Sequence, residues 1–357
     1  MYKINFEQPV HVHFIGIGGI SMSGLAEVLL EEHFTISGSD NKRSPLTEQL
    51  EKAGVTIFYG QKASNIIEGI DVVVYTAAIH EDNEEYQAAV QKGLPMLSRA
   101  ELLGQLMTNY DTPIAVSGTH GKTTTTSMLS HILLSAEMDP TISVGGILKA
   151  IGGNIRVGNS EIFLTEACEY TNSFLHFFPK IGVILNIDED HLDFFKDLAD
   201  IRHSFRKFAE LLPADGTLVI NGEIPELHEI TDGLACRVVT YGPDYSATNI
   251  LHDQIGEASF DFVKNGEFVT RIALSVNGDH NVSNALAALA VADILKIDPK
   301  TAGQGLKDFH GTNRRFEYKG EFDGVTVIDD YAHHPTEIAA TLKAAQNYPH
   351  NTLWCVF

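Results

Sequence analysis

The apolar positions of this chain fall in short blocks of two kinds. Val10 to Ile15, Thr35 to Asp40, Thr56 to Tyr59, Val72 to Thr76 and Pro95 to Leu97 are brief strand-like runs. Between them, the stretch through Leu25, Val28 and Leu29 and the segments Thr47 to Ala53 and Asn83 to Lys92 carry helical spacing. The alternation predicts a small parallel sheet with crossover helices over residues 1–110. A helix from Arg99 to about Asn109 then leads to a hinge at Asp111-Thr112-Pro113. A second α/β region, 111–312, opens on the apolar run Pro113 to Val116 and continues through strands Ile162 to Ala167, Ile181 to Ile187 and Thr217 to Ile220. Its helices run through Met128, Leu129, Ile132 and Leu133, and over Leu198 to Leu212. Ala247 to Val276 alternates with period two, and Asn265-Gly266 predicts a hairpin turn within that ribbon. An alanine-rich helix, Ala285 to Leu295, is capped by Gly278 to Asn284. The last region, 313–357, reads as a hairpin, Phe316 to Phe322 and Val325 to Ile328 turned by Asp323-Gly324, then a helix to about Tyr348 and a strand from Thr352 to Phe357. Three strands and one helix leave an open sheet edge, so this last domain is expected to be incomplete.

Composition narrows the class. A chain of 357 residues with 44% hydrophobic content supports two or three packed domains. Its 47 acidic against 25 basic side chains, net −22, argue against nucleic acid or an anionic membrane as partner. Anionic substrates must then be held by local donors and metal ions. Cys168, Cys236 and Cys355 are too few and too widely spaced for a disulfide framework, which fits a reducing compartment. The N-terminus lacks a signal-peptide core and no apolar run is long enough to cross a bilayer, so a cytoplasmic location is expected.

The stretch Ser117 to Thr126, S-G-T-H-G-K-T-T-T-T, sits between a strand and a helix. A glycine-rich turn there aims backbone N–H groups and a helix N-terminus at one point, where a phosphate is stabilised. Gly118, Thr119, His120, Gly121, Lys122, Thr123 and Thr124 therefore form the expected ATP phosphate loop. Lys122 supplies positive charge, Thr123 or Thr124 offers a hydroxyl to Mg²⁺, and His120 reads as structural. Only two residues separate the glycines, so the motif is not the common four-residue form.

Two further strand ends carry metal-type side chains. Glu166 closes Thr165-Glu166-Ala167-Cys168-Glu169, and His191 lies in Asn186-Ile187-Asp188-Glu189-Asp190-His191-Leu192-Asp193. Glu166 and His191 suit Mg²⁺ beside a triphosphate. Asp188, Glu189, Asp190 and Asp193 read as a solvated acidic loop. At the head of the alanine-rich helix, His280, Asn281 and Asn284 could grip an adenine edge, and a plain cap explains Asn281 or Ser283 equally well. In the first region, Gly16-Ile17-Gly18-Gly19-Ile20-Ser21-Met22-Ser23 follows a strand, and Asp40 lies 22 residues after Gly18, where an acidic side chain reaches a ribose hydroxyl. Gly16, Gly18, Gly19, Ser21, Met22, Ser23 and Asp40 thus make a Rossmann-like binding turn. Ser21 replaces the third glycine, and NAD or a UDP-sugar would satisfy the remainder. Thr76, Ala77 and Ile79 follow a buried-type strand and form a possible rim for the base.

Together these motifs, with G-T-N-R-R-F-E and D-D-Y-A-H-H-P-T-E, resemble the Mur ligases of bacterial cell-wall synthesis, and within them the alanine-adding branch. The resemblance implies an α/β protein of three domains: a Rossmann-like one for UDP, a central P-loop-type ATPase and a partial C-terminal one for the amino acid. It implies ATP and Mg²⁺ as cofactors and UDP-N-acetylmuramate and L-alanine as substrates. By the same resemblance Lys122 meets the phosphates, Thr123, Glu166 and His191 the metal, and His280, Asn281 and Asn284 the adenine. Arg314 or Arg315, with Asp330, would reach ATP from the third domain, and Tyr331 and His333 would lie near the reacting groups. Lys122, His191 and His333 are the expected catalytic residues. The branch usually carries D-E-S-D where this chain has Cys168-Glu169-Tyr170-Thr171. The rivals are a ligase that recycles an intact tripeptide, an NAD-dependent oxidoreductase, and a UDP-sugar-binding module without turnover, which is the expectation for this chain alone.

Overall fold

The computed structural model describes residues 2–357. In the first region, strands β1 (His11–Ile15), β2 (Thr35–Asp40), β3 (Thr56–Tyr59), β4 (Val72–Tyr75) and β5 (Met96–Ser98) alternate with helices α1 (Ile20–Glu31), α2 (Pro45–Lys52), α3 (Glu84–Gln91) and α4 (Arg99–Met107). The strands pair in parallel in the order β3-β2-β1-β4-β5. Sequence order reverses between β1 and β4, and the crevice at such a switch point is where open α/β sheets bind ligands. The helix starts are written locally. Ser44 and Ser98 each form a reciprocal capping box at the head of α2 and α4.

The central sheet is mixed. It is built from β6 (Thr112–Ser117), helix α5 (Lys122–Ser135), β7 (Thr141–Leu148), β8 (Gly153–Arg156), β9 (Ile162–Glu166), β10 (Ile181–Ile184), α6 (Leu198–Glu210), β11 (Thr217–Asn221), α7 (His228–Thr231), β12 (Arg237–Tyr241), β13 (Tyr245–His252), β14 (Glu257–Lys264) and β15 (Glu267–Asn277). Helices α8 (Asp279–Ile294) and α9 (Pro299–Lys307) follow. The order β15-β14-β13-β12-β11-β10-β6-β9-β7-β8 places β6 between β10 and β9, all three parallel. β13, β14 and β15 form the expected antiparallel ribbon, and Asn265 and Gly266 turn it with φ near 50° and 83°. Helices α5 and α8 are buried nearly all round because they pack between the sheet and α9.

Three corrections to the sequence reading stand out. Helix α8 begins at Asp279, so His280, Asn281 and Asn284 lie inside its first turns and not in a capping loop before it. Gly278, at φ 96°, turns the chain directly from β15 into the helix. The β7–β8 hairpin lies where sequence patterning indicated no strand, since its glycines and exposed positions break the apolar run. Last, Thr352 to Phe357 is not a strand. The third region is hairpin β16 (Glu317–Phe322) and β17 (Val325–Asp329) with α10 (Pro335–Gln346), and 352–357 pairs with neither strand of it. A strand needs a neighbouring edge to take its N–H and C=O groups.

The first two regions are tightly joined. One apolar cluster runs from Met22, Leu25 and Leu102 through Phe163 and Phe174 to Phe205 and Phe208. Gly104 of α4 lies against the His176 carbonyl, where a Cβ has no room. The β8 strand packs on α1, with Ile155 filling the space beside Gly24 and Asn154 Nδ2 donating to the Ile20 carbonyl. No helix among the described residues is long and apolar enough to cross a membrane.

Candidate active site

The carboxyl ends of β6, β9 and β10 bring three loops together. After β6, Gly118 adopts φ 141° and Gly121, the residue before α5, φ 83°. Both positions are closed to larger residues: a Cβ on Gly118 would lie 2.8 Å from Leu185 Cβ, and one on Gly121 would lie 2.6 Å from Asn284 Oδ1. The loop is pinned from β10, because Asn186 Oδ1 accepts the His120 N–H at 2.7 Å and Asn186 Nδ2 donates to the His120 carbonyl at 3.0 Å. Thr119 is held likewise, its hydroxyl accepting the Asp188 N–H at 2.9 Å.

Lys122 folds back over the turn. Its Nζ donates to the Gly118 and Thr119 carbonyls at 2.6 and 3.0 Å and to both oxygens of Glu169 at 3.1 and 2.9 Å. Glu169 is a buried carboxylate, its side chain only 2% exposed. A charge so placed must be paired, and Lys122 is its near partner, with His191 Nε2 3.7 Å away. Thr123 Oγ1 donates to Glu166 Oε2 at 3.1 Å, and Glu166 Oε1 accepts the Gly145 N–H of β7 at 2.6 Å. Burial pushes the Glu166 carboxyl up, against the hydrogen bond from Gly145 and the charge of Lys122. Thr123 and Glu166 therefore form a hard-oxygen pair next to the lysine. His191 stands on the Glu169 side of Lys122 with φ 53°. The residues that depart from the D-E-S-D pattern have structural roles there. Tyr170 covers His191 with ring centroids 4.5 Å apart and donates to Asp193 Oδ2 at 2.7 Å. Thr171 and Asn172 both take left-handed backbone conformations, and Asn172 bonds Ser204 of α6.

Beside the loop lies a cavity of about 270 Å³, lined in part by Thr124, Asn281, Asn284 and Tyr241 from the central region and Arg315 and Asp330 from the third. His280, Gly121 and His120 also reach it. Within it Asn284 Nδ2 donates to Asn281 Oδ1 at 3.0 Å. Asp330 is structurally engaged, accepting the Phe316 and Ala332 N–H groups at 3.0 and 2.8 Å and the Thr341 hydroxyl at 3.1 Å. Arg314 and Arg315 lie over the Tyr331 ring, at 5.0 and 5.7 Å, and Arg315 pairs with Glu337 at 3.5 Å. Desolvation alone would raise the Glu337 carboxyl, but hydrogen bonding to His120 and the charges of Arg315 and His120 hold it down at about 2. His333 is exposed and faces the Tyr331 carbonyl at 3.2 Å. Its neighbour His334, which sequence reasoning passed over, touches the central region: Nε2 donates to the Glu189 carbonyl at 2.8 Å and its ring lies 4.7 Å from that of His120.

The first region's turn lies at the switch point between β1 and β4. The Gly16 and Ile17 N–H groups donate to the Ser39 carbonyl at 2.9 Å. Asp40 Oδ2 accepts the Gly18 N–H at 2.9 Å, so this carboxylate braces the turn itself. A Cβ on Gly16 would sit 2.8 Å from Thr76 Cγ2, which sets the Thr76, Ala77 and Ile79 loop directly across from the glycines. Gly19 precedes α1 and Ser21 lies in its first turn, whereas Met22 and Ser23 are buried, Met22 among the apolar core residues.

Two functional-looking residues were not singled out from the sequence. Glu169 was hidden in a departing motif, and His334 in a pair of histidines, although the spacing from Pro335 marked it as the helix cap it proves to be.

Comparison with known families gives three matches along the chain: a Mur ligase family catalytic domain over residues 11–111, a Mur ligase middle domain over 116–292, and a Mur ligase glutamate ligase domain over 314–357. The chain is 60% identical over 361 residues to the UDP-N-acetylmuramate–L-alanine ligase of Agathobacter rectalis, covering 100% of this chain and 79% of that one. It is 58% identical to the enzyme of the same name from Lachnospira eligens, with coverage of 100% and 79%. Among solved structures, UDP-N-acetylmuramate-alanine ligase from Thermotoga maritima matches with a TM-score of 0.79 at 32% identity, over 95% of this chain and 78% of that one. A murein peptide ligase from Psychrobacter arcticus matches with a TM-score of 0.79 at 29% identity, over 94% and 76%.

Proposed function

We propose that this chain, which belongs to the Mur ligase family, joins L-alanine to the lactyl carboxylate of UDP-N-acetylmuramate with ATP, in peptidoglycan precursor synthesis. The observation that carries the chemistry is the convergence of Lys122, Thr123, Glu166, Glu169 and His191 at the carboxyl ends of three adjacent parallel strands. The choice of L-alanine rests on relatives of that name at 58 to 60% identity across the whole chain. The proposed division is 1–110 for UDP, 111–312 for ATP and 313–357 for the start of the amino-acid region, in a cytoplasmic enzyme.

A carboxylate resists an amine because it is anionic. Transfer of the ATP γ-phosphoryl group to one lactyl oxygen gives ADP and an acyl phosphate. The amine nitrogen of L-alanine then bonds to the carbonyl carbon, the carbon–oxygen bond to phosphate breaks, and the amine loses a proton. Lys122 and the backbone N–H groups of the loop stabilise the phosphate charge, the dominant contribution in phosphoryl transfer. Thr123 and Glu166 fit Mg²⁺, since both present hard oxygens and the half-buried carboxylate has no cationic partner in direct contact among the described residues. His191 would hold metal from the other side. Bound there, Mg²⁺ supplies charge neutralisation on the phosphate oxygens. His280, Asn281 and Asn284 would face the adenine, Arg315, which lines the cavity where Arg314 does not, would approach ATP with Asp330 from the third region, and Tyr331 and exposed His333, outside that cavity, would serve the reacting amine.

Calorimetric titration tests the reading. UDP-N-acetylmuramate should bind saturably and lose affinity when Gly18 or Gly19 is enlarged. Binding of NADH with no response to the sugar nucleotide overturns it. ADP release with L-alanine, and not with L-alanyl-γ-D-glutamyl-meso-diaminopimelate, fixes the amino donor and overturns the expectation that this chain alone binds without turnover.

A further inference from the structure

We infer that His120, Asp188 and His334 form a separate metal site, suited to a borderline divalent cation such as Zn²⁺. Each residue offers one ligand atom, and the three atoms lie within 4.8 Å of one another. The set spans the molecule: His120 comes from the loop before α5, Asp188 from the loop after β10, and His334 from the cap of α10. Two imidazoles and one carboxylate are the donor chemistry of zinc rather than of Mg²⁺, which prefers oxygen.

The surroundings are arranged as they are around metal ligands. His120 Nε2 is buried, makes no hydrogen bond, and faces Asp188 Oδ2 at 3.4 Å. Its other nitrogen, Nδ1, faces the Glu337 carboxylate at 3.4 Å. This is the carboxylate–histidine arrangement that orients a ligating ring and leaves the far nitrogen for the ion. His334 repeats it with a backbone partner. Nε2–H donates to the Glu189 carbonyl at 2.8 Å, which puts the lone pair on Nδ1; there it accepts the Thr336 N–H at 3.3 Å as the cap of α10, a bond that the ion would replace. The Thr336 hydroxyl, in turn, donates to Asp188 Oδ2 at 3.1 Å. All three ligands thus have an outer partner. Three protein ligands leave a fourth position open to water or an anionic oxygen. An ion here would fasten the third region to the phosphate loop without touching Glu166 or His191.

The test titrates the whole chain with Co²⁺ alone, without nucleotide, and follows visible d–d absorption, which is intense for four-coordinate cobalt. One Co²⁺ per chain, displaced by Zn²⁺, is expected. Asp188→Asn and His334→Gln should each weaken binding at least about tenfold. Glu337→Gln keeps every ligand while removing the charged outer partner of His120, together with the ion pair to Arg315, and should weaken it about 10- to 100-fold. Glu166→Gln should leave the band unchanged. A band that survives His334→Gln, disappears in Glu166→Gln, or has the low intensity of six-coordinate cobalt overturns the inference. If His334→Gln fails to fold by circular dichroism, Glu337→Gln and Glu166→Gln decide.

Discussion

Glu169→Gln is the sharpest perturbation of the candidate active site, because it removes one charge and almost no volume. Lys122 Nζ lies 2.9 Å from Glu169 Oε2, a Coulomb attraction of about 6 kcal/mol at an effective dielectric of 20. Desolvation of a carboxylate only 2% exposed offsets much of that attraction. Removing one partner of such a pair costs about 3–5 kcal/mol, since the other charge is left buried and unpaired. The glutamine retains one acceptor and Lys122 keeps the Gly118 and Thr119 carbonyls, so the lower figure applies. Spread over a region of about 200 residues, about 3 kcal/mol lowers the melting temperature by roughly 6–12 °C. The assay is urea unfolding of Glu169→Gln, Lys122→Met and the double variant, followed by circular dichroism. A coupling of about 2 kcal/mol is expected, because the double variant leaves no unpaired charge. Additivity within about 0.5 kcal/mol would refute the argument that this pair is what keeps Lys122 in place.

Other outcomes follow from the same geometry. Glu166→Gln should melt higher than the parent in Mg²⁺-free buffer, because burial disfavours the ionised form, and should lose ATP-dependent turnover; a lower melting temperature contradicts the assignment. Gly121→Ala places a Cβ 2.6 Å from Asn284 Oδ1 at φ 83°, so ATP affinity measured by calorimetry should fall about tenfold while UDP-N-acetylmuramate binding is unchanged. The Glu337 carboxyl, held at about 2, contributes stability that is fully present above the ordinary glutamate range and lost as pH falls toward 2. Hydrogen exchange in α10 should therefore rise in acid, and Glu337→Gln should flatten that dependence.

Much of this was legible before any coordinates. The glycine spacings at Gly16 to Gly19 and Gly118 to Gly121 marked both candidate turns, because Gly16, Gly118 and Gly121 take positive φ and a Cβ on Gly18 would meet Asp40 Oδ2 at 2.7 Å. The Asn265-Gly266 and Asp323-Gly324 turns were equally plain. What stayed hidden depends on tertiary neighbours. Glu169 looks like any acidic residue in a loop until Lys122 folds onto it. Asp188 read as a solvated charge, and it becomes a contact only when Thr336 and His334 arrive from 146 or more residues away. Helix α8 starts six residues earlier than its alanine run, because polar His280, Asn281, Ser283 and Asn284 are tolerated where they line a cavity. The β7–β8 hairpin has no strong period of its own and is held by β9 on one side and α1 on the other.

That hairpin acts as a clip. One strand sets the Gly145 N–H on Glu166, and the other seats Ile155 against Gly24 and ties Asn154 to the first turn of α1. Ile155 pairs opposite Ser143, so the two contacts lie close together on the paired strands, and one short piece of hairpin couples the Glu166 strand end to the first region. Residues added at the tip, between 148 and 153, would leave both contacts in place, so the coupling resides in the strand pairing and not in the length of the loop.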